Sequence, residues 1–587
     1  MNKVLYINLF KEIDISDLIS QIEENTNNYY LDFQGKNKES EDISNINPEE
    51  FDNYSNIYNN AVKEYTTVVA ELSTVNLGNK NIRSFTFNQL PIYWLTNVSE
   101  KHYFHWLMKF FLLKELLTEK IDFFHQYNQI IIVLPNKYEA VNHLIQKEFD
   151  SLKIKTSVIR VVKNRVRHPY FRLLKNNLKL VYLFLKMEKP QLTNEKKKNI
   201  FILTGSPTAY TSDFFKNIIN ISNNNFSEAS LIPLNYWSNS NNPLNLNIPR
   251  LYWKSRLTVF DLMYNSVKQI KLFYKLNKTT TEFIGINNIH FPSSILVDEM
   301  KDVLLNQTNM LSTYCWLKKY AKRLNYSPSF FYEDEVYPHG RAISLALQNK
   351  KTYGVQHSMI PKNHSVYHIS DKEINNITKN DGLPLPSNFL VWGNYFKTQF
   401  LSHNSITSNF IVVTGNPTYI KRNNNSPPSQ KNKNAINLLY GLTTLSFFEK
   451  EKYIIKKTLS HYKKIDITIR FHPLHIFDEK IIINFFSPTK VNFSNTPNIF
   501  EEINQNDILM VSAHSGAWLD AIVAKKPVIR LTTAFTDDIN NNGLMFNVKD
   551  NKEFEAILEN ITTKKDFTLD NELLYLQANK WIELINS

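Results

Sequence analysis

Cysteine is all but missing. Cys315 is the only one in 587 residues, which excludes an intramolecular disulfide framework and any cysteine-rich zinc site, and fits a reducing compartment. Glycine is scarce too, at 12, so each glycine beside polar residues at the end of an apolar run carries more weight than usual. No stretch reaches the roughly 18 apolar residues of a membrane span. The opening residues, MNKVLYINLFKEIDISD, turn acidic where a secretory leader would continue its apolar run. The expectation is a cytoplasmic chain, neither secreted nor transmembrane.

What is present is enough for real cores. A hydrophobic fraction of 42% with 13% aromatics, over a length several times what one core needs, predicts two Rossmann-sized domains with helical additions. The formal charge of +13 is uneven: between Arg160 and Lys198 stand twelve Lys/Arg against Glu188 and Glu195. Within that stretch Arg172, Lys175, Lys179 and Lys186 recur at helical spacing, and Phe171, Leu174, Leu178, Val181 and Leu185 supply an apolar side. This basic amphipathic helix has two readings: docking on an anionic inner leaflet, or a solvated helix packed on its own domain. Nucleic acid is not an expected partner, since no recognised binding module surrounds the charge.

The chain divides by pattern. Residues 1–90 form a poorly readable N-terminal segment in which VLYINLF has strand character. A first Rossmann-like domain is expected at 91–375, with the basic helical insertion around 160–198; QIIIVLP, SVIRVV and NIFILTG read as its buried parallel strands. SFFYE, the helix GRAISLALQNK opened by Pro338, and KTYGVQ make a βαβ unit whose strands end at Glu333-Asp334-Glu335 and Gln356-His357. Ligands bind outside the carboxyl ends of such strands. A second domain is expected at 385–540 from NFLVWG, FIVVTGNP, NLLYG, ITIRFHP, DILMVSA and PVIRL, with C-terminal helices at 541–587 that cross back to brace the first domain.

Two strand ends in the second series carry chemistry-bearing residues. ITIRFHP puts Arg470 and His472 at a strand end that Pro473 stops, and DILMVSAHSGAWLDAIVA runs from strand to helix through Ser512, His514, Ser515 and Gly516. The unpaired N–H groups at a helix start suit a phosphate, and Ser515 is placed either to cap the helix or to bond the phosphate. His357, His364 and His368 lack a companion carboxylate or cysteine set, so no metal site is expected. Trp392 and Trp518 read as core.

Taken in order, YED, YGVQHSMIPKNHSVY, LVWGNYF, VVTGNP, RFHP and SAHSGAWLDAIVAKKPVI resemble the motifs of bacterial surface-carbohydrate transferases of GT-B fold, two Rossmann-like domains facing a cleft. Within that group they most resemble enzymes that transfer Kdo, sialic acid or related nonulosonic acids from CMP. The similarity spans Ser327 to Leu531 and, more faintly, PIYWLTNVSEKH. The resemblance implies an inverting transfer from a CMP-sugar to a glycan or glycolipid acceptor, needing no metal or other cofactor. It implies that His472 and a serine of the later motif hold the CMP phosphate, with Arg470, Pro473, His514, Gly516, Gly415 and Asn416 in the nucleotide-binding set. It also implies an acidic base, matched to Glu333 with Asp334 and Glu335 as alternatives, and places Gln356 and His357 at the donor or acceptor site. Several relatives carry paired serines where this chain reads Ser512-Ala513-His514-Ser515, so the hydroxyl that takes the phosphate is open. The rival readings are a transferase using a UDP- or GDP-sugar or CDP-glycerol, and a non-catalytic polysaccharide-export or membrane-scaffold protein.

Overall fold

Short runs of aliphatic residues without polar alternation form strands buried on both faces, which is what parallel sheets covered by helices require. In the computed structural model the described residues are 3–10, 26–33, 43–46, 48, 51, 53–101, 105–135, 139–161, 169–186, 199–203, 214, 217–218, 226–230, 250–251, 258–279, 281–287, 289–324, 326–333, 336–356, 360, 364–378, 380–424, 436–442, 451–452, 454–456, 465–471, 479–487, 491–494, 496, 498–512, 515–531, 544–548, 550–563, 574 and 576–586. They divide into one unit of residues 1–391, 397–413 and 579–587 and another of residues 392–396 and 414–578.

The first unit contains two sheets. β1 (Lys3–Asn8), β2 (Asn27–Asp32), β3 (Ile43–Ile46), β4 (Gln129–Pro135) and β5 (Thr156–Val161) pair in the order β3-β2-β1-β4-β5, all parallel. VLYINLF thus supplies a central strand, buried from Val4 onward, and the segment 1–90 is an integral part of an α/β layer. QIIIVLP and SVIRVV belong to this sheet and not, as expected, to that of NIFILTG. The second sheet comprises β6 (Asn199–Leu203), β7 (Phe226–Ser230), β8 (Arg250–Leu251), β9 (Ser329–Tyr332), β10 (Thr352–Val355), β11 (Asn388–Val391) and β12 (Ile411–Val413). Its order is β8-β7-β6-β9-β10-β11-β12, again all parallel.

The expected boundary at 385 is corrected by this pairing. NFLVWG and FIVVTG continue the second sheet, in register Tyr353↔Asn388 and Phe389↔Ile411. Buried apolar runs fit either sheet equally well, and only the ladder partners decide.

Six helices of the first unit matter below: α1 (Pro169–Lys186), α2 (Val259–Asn277), α3 (Ser293–Asn306), α4 (Thr308–Arg323), α5 (Pro338–Ala346, with Pro338 in its first turn) and the C-terminal helix Asn579–Asn586. The last returns to the first unit as expected. Asn199 Nδ2 donates to the Ile585 carbonyl at 3.1 Å, and Trp581 packs on Phe214 and Phe331 with ring centroids 6.3 Å apart in both pairs.

The second unit holds one parallel sheet of β13 (Ile436–Leu442), β14 (Ile465–Phe471), β15 (Val491–Phe493), β16 (Ile508–Ser512), β17 (Val528–Leu531) and β18 (Met545–Val548), ordered β15-β14-β13-β16-β17-β18. β18 lies inside 541–587, a range expected to be helical, because Phe546 and Val548 are buried in the sheet core with Ile529, Met510 and Phe554, and Met545 is buried as well. Each such side chain contributes about 1.5–3 kcal/mol on burial. No helix among the described residues is long and apolar enough to cross a membrane. The expected α/β class is what the structure shows.

Candidate functional site

Renumbered by appearance along the chain, the second and third sheets both run 3-2-1-4-5-6, the second with a seventh strand beyond. In such sheets the connections leave in opposite directions on either side of strands 1 and 4. That opens a crevice at their carboxyl ends, where doubly wound proteins bind ligands. The crevice of the second sheet lies between β6 and β9, paired from Asn199↔Ser329 to Ile202↔Tyr332.

Glu333 is the first residue after β9 and is half-buried. Gln356 follows the adjacent strand β10 at the same edge; it is fully buried, and its backbone N–H donates to the Leu390 carbonyl at 2.9 Å. Asp334, Glu335 and His357 lie outside the described residues.

The first unit also contains a buried polar scaffold that the sequence did not announce. Arg341 of α5 is fully buried; its Nη1 donates to the Trp94 carbonyl at 2.9 Å and to Ser99 Oγ at 3.0 Å, and its Nη2 donates to the Ser99 carbonyl at 3.0 Å. Trp94 Nε1 donates to the Asp381 carbonyl at 2.9 Å. Lys101, held in the left-handed region at φ 57, is buried with its Nζ 2.7 Å from Glu373 Oε2 and also bonded to the His368 carbonyl. Burial pushes the Lys101 ammonium below its usual range, and Glu373 pulls it back. Residues 91–101 thus form two short helices, Ile92–Leu95 and Asn97–Glu100, clamped by Arg341 and Lys101. The available signal was a run of polar residues inside strongly apolar flanks, which only buried partners can satisfy.

In the second unit the crevice lies between β13 and β16. A Cβ on Gly441 would come 2.9 Å from Val511 Cγ1, so any larger residue there would have to displace that side chain. β16 ends at Ser512, which is 1% exposed. The chain then turns, with the Ser515 N–H donating to the Ser512 carbonyl at 2.9 Å, and enters a seven-residue helix, Ala517–Val523. Ser515 is half-buried and its Oγ accepts from the Ala517 N–H at 3.4 Å; Gly516 is exposed. Of the two described serines, Ser515 is the accessible one. His514 lies outside the described residues, as do His472 and Pro473 beyond β14.

Three expected nucleotide ligands have other engagements. Arg470 Nη1 donates to Glu502 Oε2 at 2.7 Å, the Thr496 carbonyl at 2.6 Å and Ser494 Oγ at 3.1 Å. It is a strut between β14 and the helix Ile499–Gln505. Gly415 adopts φ 75, and the fully buried Asn416 accepts the Thr418 N–H at 2.9 Å, capping the helix Pro417–Asn424. These two shape a strand-to-helix turn. Arg422 of that helix pairs with the buried Asp520, just past the Ser515 turn. Burial raises the Asp520 carboxyl to about 6 although Arg422 pulls it down.

Trp392 and Trp518 are core residues as expected, Trp392 against Phe396 and Tyr419, and Trp518 beneath the Arg530 guanidinium. Among the described residues no group of three or more His, Cys, Asp or Glu side chains is placed to hold a metal ion. On α1, Arg172, Lys175 and Lys179 are exposed, while the Lys186 side chain is outside the described set.

No family model and no curated protein matches the chain. Similar solved structures include a UDP-GlcNAc 2-epimerase from Neisseria meningitidis bound to UDP-GlcNAc, over 66% of this chain and 99% of its own, at 13% identity and a TM-score of 0.39. A glycosyltransferase from Rickettsia africae is similar over 67% of this chain and 94% of its own, at 14% identity and a TM-score of 0.37. The wall teichoic acid polymerase TagF is similar over 72% and 92%, at 9% identity and a TM-score of 0.33. What those proteins bind is theirs; the chemistry of this chain rests on its own strand ends.

Proposed function

We propose that the chain is a glycosyltransferase of the GT-B type. It moves a Kdo- or sialic-acid-like sugar from a CMP donor, with inversion and without a metal, onto a glycan or glycolipid acceptor of a bacterial surface polysaccharide. The observation that carries this reading is positional: a carboxylate, Glu333, directly follows strand 4 of one 3-2-1-4-5-6 sheet, and the Ser512–Gly516 turn directly follows strand 4 of the other. Glu333 takes the proton from an acceptor hydroxyl as that oxygen attacks the donor's anomeric carbon. The bond to the phosphate oxygen breaks, and its electron pair leaves with CMP. Ser515 and His472 meet the charge that develops on the phosphate, while Arg470 Nη1 is engaged by Glu502. One phosphate needs less countercharge than two, and no Asp-x-Asp stands at a strand end to recruit Mg²⁺. Arg172, Lys175, Lys179 and Lys186 hold the enzyme to the anionic inner face of the cytoplasmic membrane, at about 1 kcal/mol each.

Thermal-shift screening against CMP, CDP, UDP and GDP tests the donor. A ligand at about 100 times its Kd stabilises by about 2.7 kcal/mol, so CMP is expected to raise Tm and EDTA to leave that shift intact. Equal stabilisation by UDP or GDP, or loss of the CMP shift in EDTA, rejects the CMP donor.

A further inference from the structure

α1 and α2 lie side by side along a polar seam. Ser266 Oγ donates to Asn177 Oδ1 at 2.7 Å, Asn177 Nδ2 to Gln269 Oε1 at 3.1 Å, and Asn277 Nδ2 to the Tyr170 hydroxyl at 2.9 Å, with Tyr170 edge-on to Phe273 at 5.2 Å. Residue 170 meets 273 and 277 while 177 meets 266 and 269, so the helices run antiparallel. One side of the pair is core: Leu173 and Leu180 of α1 and Leu262, Leu272 and Leu276 of α2 are buried. That side is tied to α3 and α4 through Asn176 Nδ2 to the Leu305 carbonyl at 2.7 Å and Gln269 Nε2 to Thr308 Oγ1 at 3.2 Å.

The other side is apolar and faces solvent. Of the apolar side read from the sequence, three residues face outward: Phe171 is 67% exposed and Leu178 59%, with Leu174 beside them. α2 adds Phe260 at 83%, Met263, Val267 and Tyr274. At about 100° per residue each set falls within roughly a quarter of its helix circumference, between the seam and solvent and away from the buried leucines. Because the helices are antiparallel, both arcs open to the same side and form one continuous face. Soluble monomers rarely leave such a face uncovered.

Its surroundings are cationic. Arg172, Lys175 and Lys179 flank it on α1, which contains no carboxylate, and Lys271 is exposed on α2. The single acid of the two helices, Asp261, is paired with Lys319 and held below the usual carboxylate range by that contact and the Thr258 cap, against the opposing effect of burial. A second copy of the chain on this face would bring like-charged rims together, and protein interfaces are poor in lysine. Apolar and aromatic side chains bordered by lysine and arginine are the composition of helices that lie in the headgroup layer of an anionic bilayer.

We propose that the α1–α2 face inserts into the interfacial layer of a membrane rich in anionic phospholipid. Phe171, Leu174 and Leu178 enter with Phe260, Met263 and Val267, while Arg172, Lys175 and Lys179 meet lipid phosphates. This deepens the electrostatic docking stated above by adding a second helix and an apolar component, and it is independent of the transfer chemistry. The test is co-sedimentation of the full chain with phosphatidylcholine vesicles, with and without phosphatidylglycerol, at low and at about 1 M salt, where the Debye length is about 3 Å. The wild type is expected to bind the anionic vesicles and to resist elution by salt. The exposed-site variant F260S/M263S/V267S is expected to lose at least tenfold in partitioning and to elute with salt, and R172Q/K175Q/K179Q to lose its preference for phosphatidylglycerol. If F260S/M263S/V267S sediments as wild type at both salts, the insertion is overturned; a simultaneous loss in R172Q/K175Q/K179Q would leave electrostatic docking standing alone. A concentration-dependent dimer of the lipid-free wild type that F260S/M263S/V267S abolishes assigns the face to self-association and overturns the proposal.

Discussion

Arg470 and Glu502 meet at 2.7 Å with side chains 13% and 5% exposed, linking β14 to the helix that precedes β16. A guanidinium so placed is more valuable to the fold than to a ligand. Arg470→Gln leaves Glu502 buried beside an uncharged amide, and breaking a buried pair costs roughly 3–5 kcal/mol. The variant is expected to unfold at markedly lower urea while its folded fraction binds CMP within a few-fold of wild type. Loss of CMP binding by titration calorimetry without loss of stability would restore Arg470 to the nucleotide site.

Cys315 supplies a second stability readout. It is buried in α4, Asn88 Nδ2 lies 3.0 Å from its Sγ, and burial raises the thiol to about 11. The neutral, enclosed thiol is a poor nucleophile at pH 7–8. A thiol-reactive chromophore is expected to react only in step with urea unfolding, so single-site labelling should follow the same curve as circular dichroism. Rapid labelling of the native protein contradicts this burial.

Which parts of this were legible follows from what a sequence can encode locally. Strands such as QIIIVLP, ITIRF and ILMVS were readable because an unbroken apolar run is a local signal. Their partition among three sheets was not, since β1 pairs with β4 across more than a hundred residues and nothing in either run names its partner. Glu333 and Ser515 were found at strand ends before the strand order was known; the order adds that both follow strand 4. The engagement of Arg470 with Glu502 was not legible because that partner lies thirty-two residues on. The capping bond of Asn416 was not legible because a capping asparagine and a ligand asparagine look alike after a strand. On α1 the periodicity of Phe171, Leu174 and Leu178 was visible, but whether that side packs inward or faces out depends on α2 and α3.

Asp520 gives a pH dependence with a definite sign. Its carboxyl is raised to about 6 in the folded chain, against about 3.9 when unfolded. The unfolded state therefore releases this proton first as pH rises. The contribution to stability is fully present below about pH 4, is lost between about pH 4 and 6, and is flat above. Asp520→Asn is expected to remove that slope from urea-denaturation midpoints measured across pH 4–7, while lowering stability overall by stranding Arg422. An unchanged slope in the variant would show that Asp520 titrates normally.

Glu333 and Ser515 are the pair whose loss must look different. Glu333→Gln keeps the shape of the side chain but cannot accept the acceptor's proton, so kcat should fall about 10²–10⁴-fold with CMP affinity nearly unchanged. Ser515→Ala removes the half-exposed hydroxyl proposed to donate to the phosphate in ground and transition states alike, so it should weaken CMP binding and slow transfer together. Ser512→Ala, at a position 1% exposed at the end of β16, should affect stability before it affects binding. Titration of CMP into each variant beside a transfer assay separates the three. If Glu333→Gln stays within a few-fold of wild type while Asp334→Asn or Glu335→Gln is inactive, the base is a neighbouring carboxylate at the same strand end. If none of the three carboxylate variants impairs transfer, the crevice beside β9 is not the base site and the mechanism proposed for it is wrong.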